Sequence, residues 1–140
     1  MENGYSLSEP VIVTRVSEGE ITFKEGVQYV AVMQGTAAGQ VKQATAGATT
    51  VLGFAKKPSE TDIIVTKRAV DVVLAPAVIA MGLSGAVNVN DYLEVGSTVT
   101  ELSKLTVDSS DNVTVFASVV ARAIQKTTDH TIAWVSVGRA

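Results

Sequence analysis

The residues that could do chemistry in this 140-residue chain are few, and a single histidine, His130, sets the limit. One histidine rules out a two-histidine metal site. The absence of cysteine rules out thiolate chemistry, disulfides and Cys-ligated zinc. A Ser-His-Asp arrangement would have to use His130, which stands between Asp129 and Thr131 in a polar turn, and no Gly-x-Ser-x-Gly elbow is present to present a serine. His130 therefore reads as a surface residue. Acids occur as near neighbours: Glu18 with Glu20, Glu60 with Asp62, Asp91 with Glu94, Asp108 with Asp111. Paired carboxylates can cleave glycosides, and clustered oxygens can hold calcium. These pairs fall in turn-like stretches, where acids are solvated or bond nearby backbone, and none has the Asp-x-Asp-x-Asp-Gly spacing of a calcium loop. Neither Gly-x-Gly-x-x-Gly nor a phosphate loop occurs. The expectation is a protein that is not an enzyme, with no catalytic residue, no metal site and no cofactor.

What remains is the chemistry of contact. Two basic pairs, Lys56 with Lys57 and Lys67 with Arg68, flank the polar connector of the segment Val51 to Arg68. They could grip an acidic partner surface, although solvated strand ends are the commoner explanation. Trp134, beside Ile132 and Val135, is by default a core residue; an exposed anchor at an interface is the sharper alternative. The stretch Tyr5 to Val16 gives a polar opening, Pro10, and then Val11, Ile12, Val13 and Val16 around Thr14 and Arg15. An extended apolar terminus needs cover, from its own sheet or from a neighbouring subunit. The candidate partner-facing residues are Tyr5, Leu7, Val11, Ile12, Lys56 and Lys57.

Composition points the same way. Charged residues make up 18% of the chain, against roughly 25% in a typical soluble domain, and hydrophobic residues 46%, so part of the apolar surface is available for a partner. The net charge of −3 gives no electrostatic reason to bind nucleic acid or an anionic membrane. The longest apolar run, Val72 to Leu83, is short of the ~20 residues that cross a bilayer, and it contains Pro76 and Gly82. The N-terminus starts polar and acidic, without the features of a secretory signal. A soluble chain of one-domain length is expected, with residues 1–16 as an extended arm or first strand and 17–140 as a β domain.

The elements that must position these side chains are short strands. Val27 to Met33 reads as a core strand apolar on both faces, and Ala69 to Leu74 alternates Val70, Val72 and Leu74 against Asp71 and Val73. Gln34 to Thr50 is low in bulk, with Val41 its anchor. Val119 to Ile124 and Thr131 to Val137 close the chain. A short helix is suggested only at Ala75 to Leu83, where Pro76 could take the first helical position and Gly82 lie just past the end. Many short strands with at most that one helix predict an all-β fold, a sandwich or a barrel of antiparallel strands.

One internal echo runs through this pattern. Val51 to Arg68 holds a small-residue step (Gly53, Ala55), a polar connector and a β-branched run, and Val119 to Arg139 repeats the order with Ala121 and Ala123 in place of Gly53 and Ala55. The glycine and alanine positions read as sites of close strand packing.

The layout resembles small all-β phage capsid decoration, or cement, proteins. The resemblance rests on the Leu52-Gly53-Phe54-Ala55 step, the middle strand Ala69 to Leu74 and the turn Val87 to Tyr92. It rests also on the second small-residue step, Ala121 to Ala123, and the Val135 to Val137 ending. It covers roughly Gln40 to the C-terminus. Where those proteins have a Gly-Asp turn this chain has Asn90-Asp91, and Ala121 stands for their second glycine. The resemblance implies a virion protein, made in the host cytoplasm, that binds the outside of an assembled capsid through the major capsid protein. It would stabilise the shell by bridging its subunits, as a homo-oligomer with a trimer favoured. Two alternatives stand beside it: another phage structural component, such as a tail tube or head-fibre base, and a ligand- or glycan-binding β-barrel using Asp91, Glu94, His130 and Trp134.

Overall fold

The structure is a computed structural model, and it describes residues 11–74, 76–106, 117–127 and 131–137. The strands are β1 (Val11–Ser17), β2 (Glu20–Thr22), β3 (Tyr29–Gln34), β4 (Gln40–Gln43), β5 (Val51–Lys56) and β6 (Ile64–Thr66). They continue as β7 (Ala69–Leu74), β8 (Ala77–Ser84), β9 (Tyr92–Val95), β10 (Glu101–Lys104), β11 (Ala121–Ala123) and β12 (Thr131–Val137). The fold is all-β, and of the two architectures expected it takes the barrel. Strands β1-β4-β3-β5-β7 close one barrel, β10-β8-β12-β11-β9 close a second, and β2 pairs with β6 apart from both. No helix among the described residues is long and apolar enough to cross a membrane.

Where the sequence suggests a helix at Ala75 to Leu83, strand β8 runs from Ala77 to Ser84, and Ala75 lies outside the described residues. Ala77, Ile79, Met81 and Leu83 are buried while Val78 is exposed, the period of two that a strand imposes. Gly82 does not end an element there: a Cβ at that position would lie 2.6 Å from Cδ of Lys24, so its hydrogen makes room for a lysine stem crossing the strand.

The two barrels are the same motif used twice. Setting β1, β3, β4, β5 and β7 against β8, β9, β10, β11 and β12 reproduces every pairing, including the one parallel pair in each, β1–β4 and β8–β10. The registers repeat as well. Val16 faces Gln40 and Ser17 faces Val41, as Gly82 faces Glu101 and Leu83 faces Leu102. Val11 to Val16 run against Leu74 to Ala69, as Ala77 to Gly82 run against Val137 to Ile132. Phe54 faces Val73, and Arg122 faces Ser136. This superposition puts Gly53 on Ala121 and Ala55 on Ala123, the small-residue echo of the sequence. The rest of the echo is shifted. Ile64–Thr66 is β6, which pairs with β2, and the counterpart of β12 is β7.

Strands β3, β5 and β7 bury both faces. Val30, Val32, Ala55, Val70 and Val72 fill the first barrel, together with Ile21 and Phe23 beside it and Val65 of β6. The alternate residues Ala31, Phe54 and Val73 turn outward and join the core of the second barrel, which contains Ile79, Met81, Leu83, Leu93, Leu102 and Val135. Barrels of five strands have no room for a lumen, so small and β-branched side chains fill them. Full burial of each Val, Leu, Ile or Phe contributes about 1.5–3 kcal/mol, and the shared cluster makes the two barrels one packed body. Gly53 marks the tightest approach: a Cβ there would lie 2.5 Å from the carbonyl oxygen of Val73.

Candidate functional site

Several acids among the described residues hold structure. Glu18 accepts hydrogen bonds from the backbone N–H and the hydroxyl of Thr36, fastening the turn between β3 and β4 to the end of β1. Those two bonds, the backbone one first, hold its carboxyl below the ordinary value of 4.5. Asp62 pairs with Arg68 at 3.2 Å, and Asp91 accepts from the Asn88 N–H at 2.8 Å and lies 3.8 Å from the Lys104 ammonium. Glu101 is 1% exposed and meets Lys24 at 2.8 Å. Among the described residues no group of three or more His, Cys, Asp or Glu is placed to hold a metal ion. His130, Asp108 and Asp111 lie outside the described residues.

Between the barrels runs a cleft of 450 Å³, walled by Ile12, Tyr29, Lys56 and Asp71 of the first barrel and by Val78 and Ser136 of the second. Register explains the grouping. Tyr29 faces Lys56, Lys56 faces Asp71 and Asp71 faces Thr14, forming one polar row around the outside of the first barrel. The Thr14 hydroxyl donates to Asp71 at 3.1 Å. The next row, Ala31, Phe54, Val73 and Ile12, is apolar; its first three members are buried against the second barrel and Ile12 is left exposed.

The second barrel carries an open apolar face. One row on its outside is Tyr92, Arg122, Ser136 and Val78; the next pairs Trp134 with Ala80, and the one after pairs Ile132 with Gly82. Val78, Ile132 and Trp134 are exposed at 57%, 44% and 52%, with Tyr92 and Ile124 also exposed beside them. The Arg122 guanidinium lies 5.6 Å from the centre of the Tyr92 ring and donates to the Asn90 side-chain oxygen at 3.3 Å. The Gln125 side-chain oxygen accepts from the Trp134 backbone N–H at 2.7 Å. Trp134 is thus outside the core, contrary to the default reading of its sequence neighbours. On β12, Ala133 and Val135 point inward, and period two sends the indole out.

Of the candidate partner-facing residues, the structure brings Ile12 and Lys56 to the same cleft. Val11 is exposed at the first position of β1. Lys57 is corrected: it is buried, 4% exposed, because alternation past the end of β5 puts it on the side of Ala55 rather than of Lys56. Tyr5 and Leu7 lie outside the described residues. Val78, Tyr92 and Arg122 were not legible as surface-forming. The available signal was that β8 is apolar at outward as well as inward positions, the mark of a strand covered on both faces.

No protein-family model matches the chain, and no curated protein sequence does. Among solved structures, the N base of head fiber gp8.5 of bacteriophage phi29 matches with a TM-score of 0.57 at 15% identity, over 94% of this chain and 97% of that one. At that identity the likeness is one of fold. Its extent takes in both barrels.

Proposed function

We propose that this chain is a structural protein of a phage virion that docks on the outside of the head, against the lattice of the major capsid protein. The observation that supports this is the extent of the fold likeness to a head fiber base, 94% of one chain on 97% of the other, so that the two-barrel arrangement is matched and not one small barrel alone. The site geometry agrees. Glu18, Asp62, Asp91 and Glu101 are engaged in turns and ion pairs, and several apolar and aromatic side chains stand on the outside of the strands. A lattice of identical shell subunits multiplies weak contacts into firm attachment without any catalytic group.

The test is co-sedimentation of the purified chain with assembled heads and with isolated major capsid protein. Saturable binding to heads and none to the isolated subunits is expected. Equal binding to both, or growth of the chain alone into tubes at high concentration, would overturn the reading and point to a tail component in the second case. The bridging role implied by the resemblance to decoration proteins adds a second readout: decorated heads would release their genome at a higher temperature than bare ones. Binding with no such shift would assign the chain to the foot of a fibre instead.

A further inference from the structure

From the backbone of the β2–β6 ribbon we infer that the outer edge of β6 is a peptide-binding site, which takes an extended segment of another protein as a third strand. The Gln43 side chain closes the opposite edge of the ribbon: its Oε1 accepts from the Thr22 N–H at 3.1 Å and its Nε2 donates to the Thr22 carbonyl at 2.9 Å. Both backbone groups of Thr22 therefore point away from β6. Residues opposite each other in an antiparallel pair exchange both bonds or neither. Thr22 faces Ile64, so the N–H and C=O of Ile64 point outward on the far side of β6, and Thr66, facing Glu20, repeats the orientation. Strand β6 pairs with β2 alone, and no described residue bonds these outward groups.

The duplicated fold indicates that this ribbon exceeds what packing requires. Val87 lies between β8 and β9 as β2 lies between β1 and β3, and Thr127 lies between β11 and β12 as β6 lies between β5 and β7. The described counterpart of the ribbon in the second barrel is the single bridge between Val87 and Thr127, which matches the pair Ile21 and Val65 and like it is buried. The first barrel adds a pair on either side of that bridge, and with them come the outward groups. Open strand edges are ordinarily blunted by charge or proline; this one carries Ile64, 55% exposed, and Ile63, 41% exposed. Backbone donors and acceptors at strand spacing are matched by another extended backbone, which makes the occupant a peptide. Charge sets its polarity. Glu60 is exposed in the turn before β6 and Lys67 just past its end, and neither forms an ion pair with a described residue. An antiparallel strand, the slightly more stable pairing, then begins with an acid beside Lys67, ends with a base beside Glu60, and carries apolar side chains between them.

The experiment is titration of the full chain into a dye-labelled synthetic peptide, Glu-Thr-Val-Thr-Val-Lys, followed by fluorescence anisotropy, beside the same peptide with its backbone nitrogens methylated. Amide hydrogen exchange by NMR reads the edge itself. The variant Ile64→Pro removes the outward donor and leaves the ladder to β2 intact, since proline is tolerated on an edge strand; circular dichroism verifies its fold. Saturable binding of the unmethylated peptide and slowed exchange at Ile64 and Thr66 are expected, with binding lost on methylation of the peptide and in Ile64→Pro. Lys67→Glu should weaken binding a few-fold, the effect of one exposed ion pair, and a peptide that begins with lysine should restore it. No saturable binding overturns the inference, as does binding that survives methylation. Slow exchange at Ile64 and Thr66 that grows with chain concentration in the absence of peptide also overturns it, giving the edge to a second copy. The inference stands on the fold: a chain that captures the peptide yet fails to bind heads overturns the docking role alone.

Discussion

At the scale of single residues, backbone geometry and close packing set what individual positions accept. Asn90 has φ of +75°, a left-handed conformation that glycine adopts freely and asparagine tolerates. Asn90→Gly should be near neutral, and Asn90→Val should cost about 1–2 kcal/mol in urea unfolding. Gly53 is more demanding, since any Cβ meets the Val73 carbonyl: Gly53→Ala should cost about 2 kcal/mol, whereas Ala121→Gly at the equivalent place in the second barrel should cost only about 1 kcal/mol. Equal losses at the two positions would contradict the packing account. Glu18 gives a pH signature. Its carboxyl is held below 4.5 in the fold, so its stabilisation is complete above that pH and is lost as pH falls through the folded value. The stability gap between the unmodified chain and Glu18→Gln should therefore be constant from neutral pH down to 4.5 and shrink below it, as thermal melts at stepped pH would show.

At the scale of elements, the strap made by Lys24 joins what topology keeps apart. Its stem crosses Gly82 of β8 and its ammonium meets the buried Glu101 of β10, so a residue between β2 and β3 is fastened to the second barrel. Lys24→Met keeps the stem and removes the charge, and it should cost about 2 kcal/mol, at the lower end for a buried acid deprived of its cation because the ammonium is partly solvated. Phe54→Ala, which empties the barrel-to-barrel contact, should cost about 3–4 kcal/mol. Elements whose two faces differ were legible in the sequence. Ala69 to Leu74 and Thr131 to Val137 show period two, and both are strands. The segment Ala77–Ser84 was not legible, because proline and glycine at helix-end spacing outweighed a weak alternation, and no local pattern reveals that a distant lysine needs the space over Gly82. The outward Trp134 was hidden for a related reason. Its neighbours are apolar because the face as a whole is apolar.

At the scale of the molecule, the duplication is the organising fact, and the sequence carried only its trace in Gly53, Ala55, Ala121 and Ala123. Those positions carry small side chains because strand contact demands it; other equivalent pairs differ, as Phe54, buried against the second barrel, differs from Arg122. Since the core of the second barrel includes Ala31, Phe54 and Val73 of the first, unfolding should be a single transition, with Trp134 fluorescence and backbone circular dichroism coincident in urea. The central claim is that this rigid pair of barrels serves to hold on to a phage head. Electron cryo-microscopy of heads assembled with and without the chain tests it most directly. The account predicts added density on the outer surface of the shell, shaped as two adjoining barrels and absent from heads that lack the chain. Heads identical in both preparations, or the added density found in the tail, would contradict it.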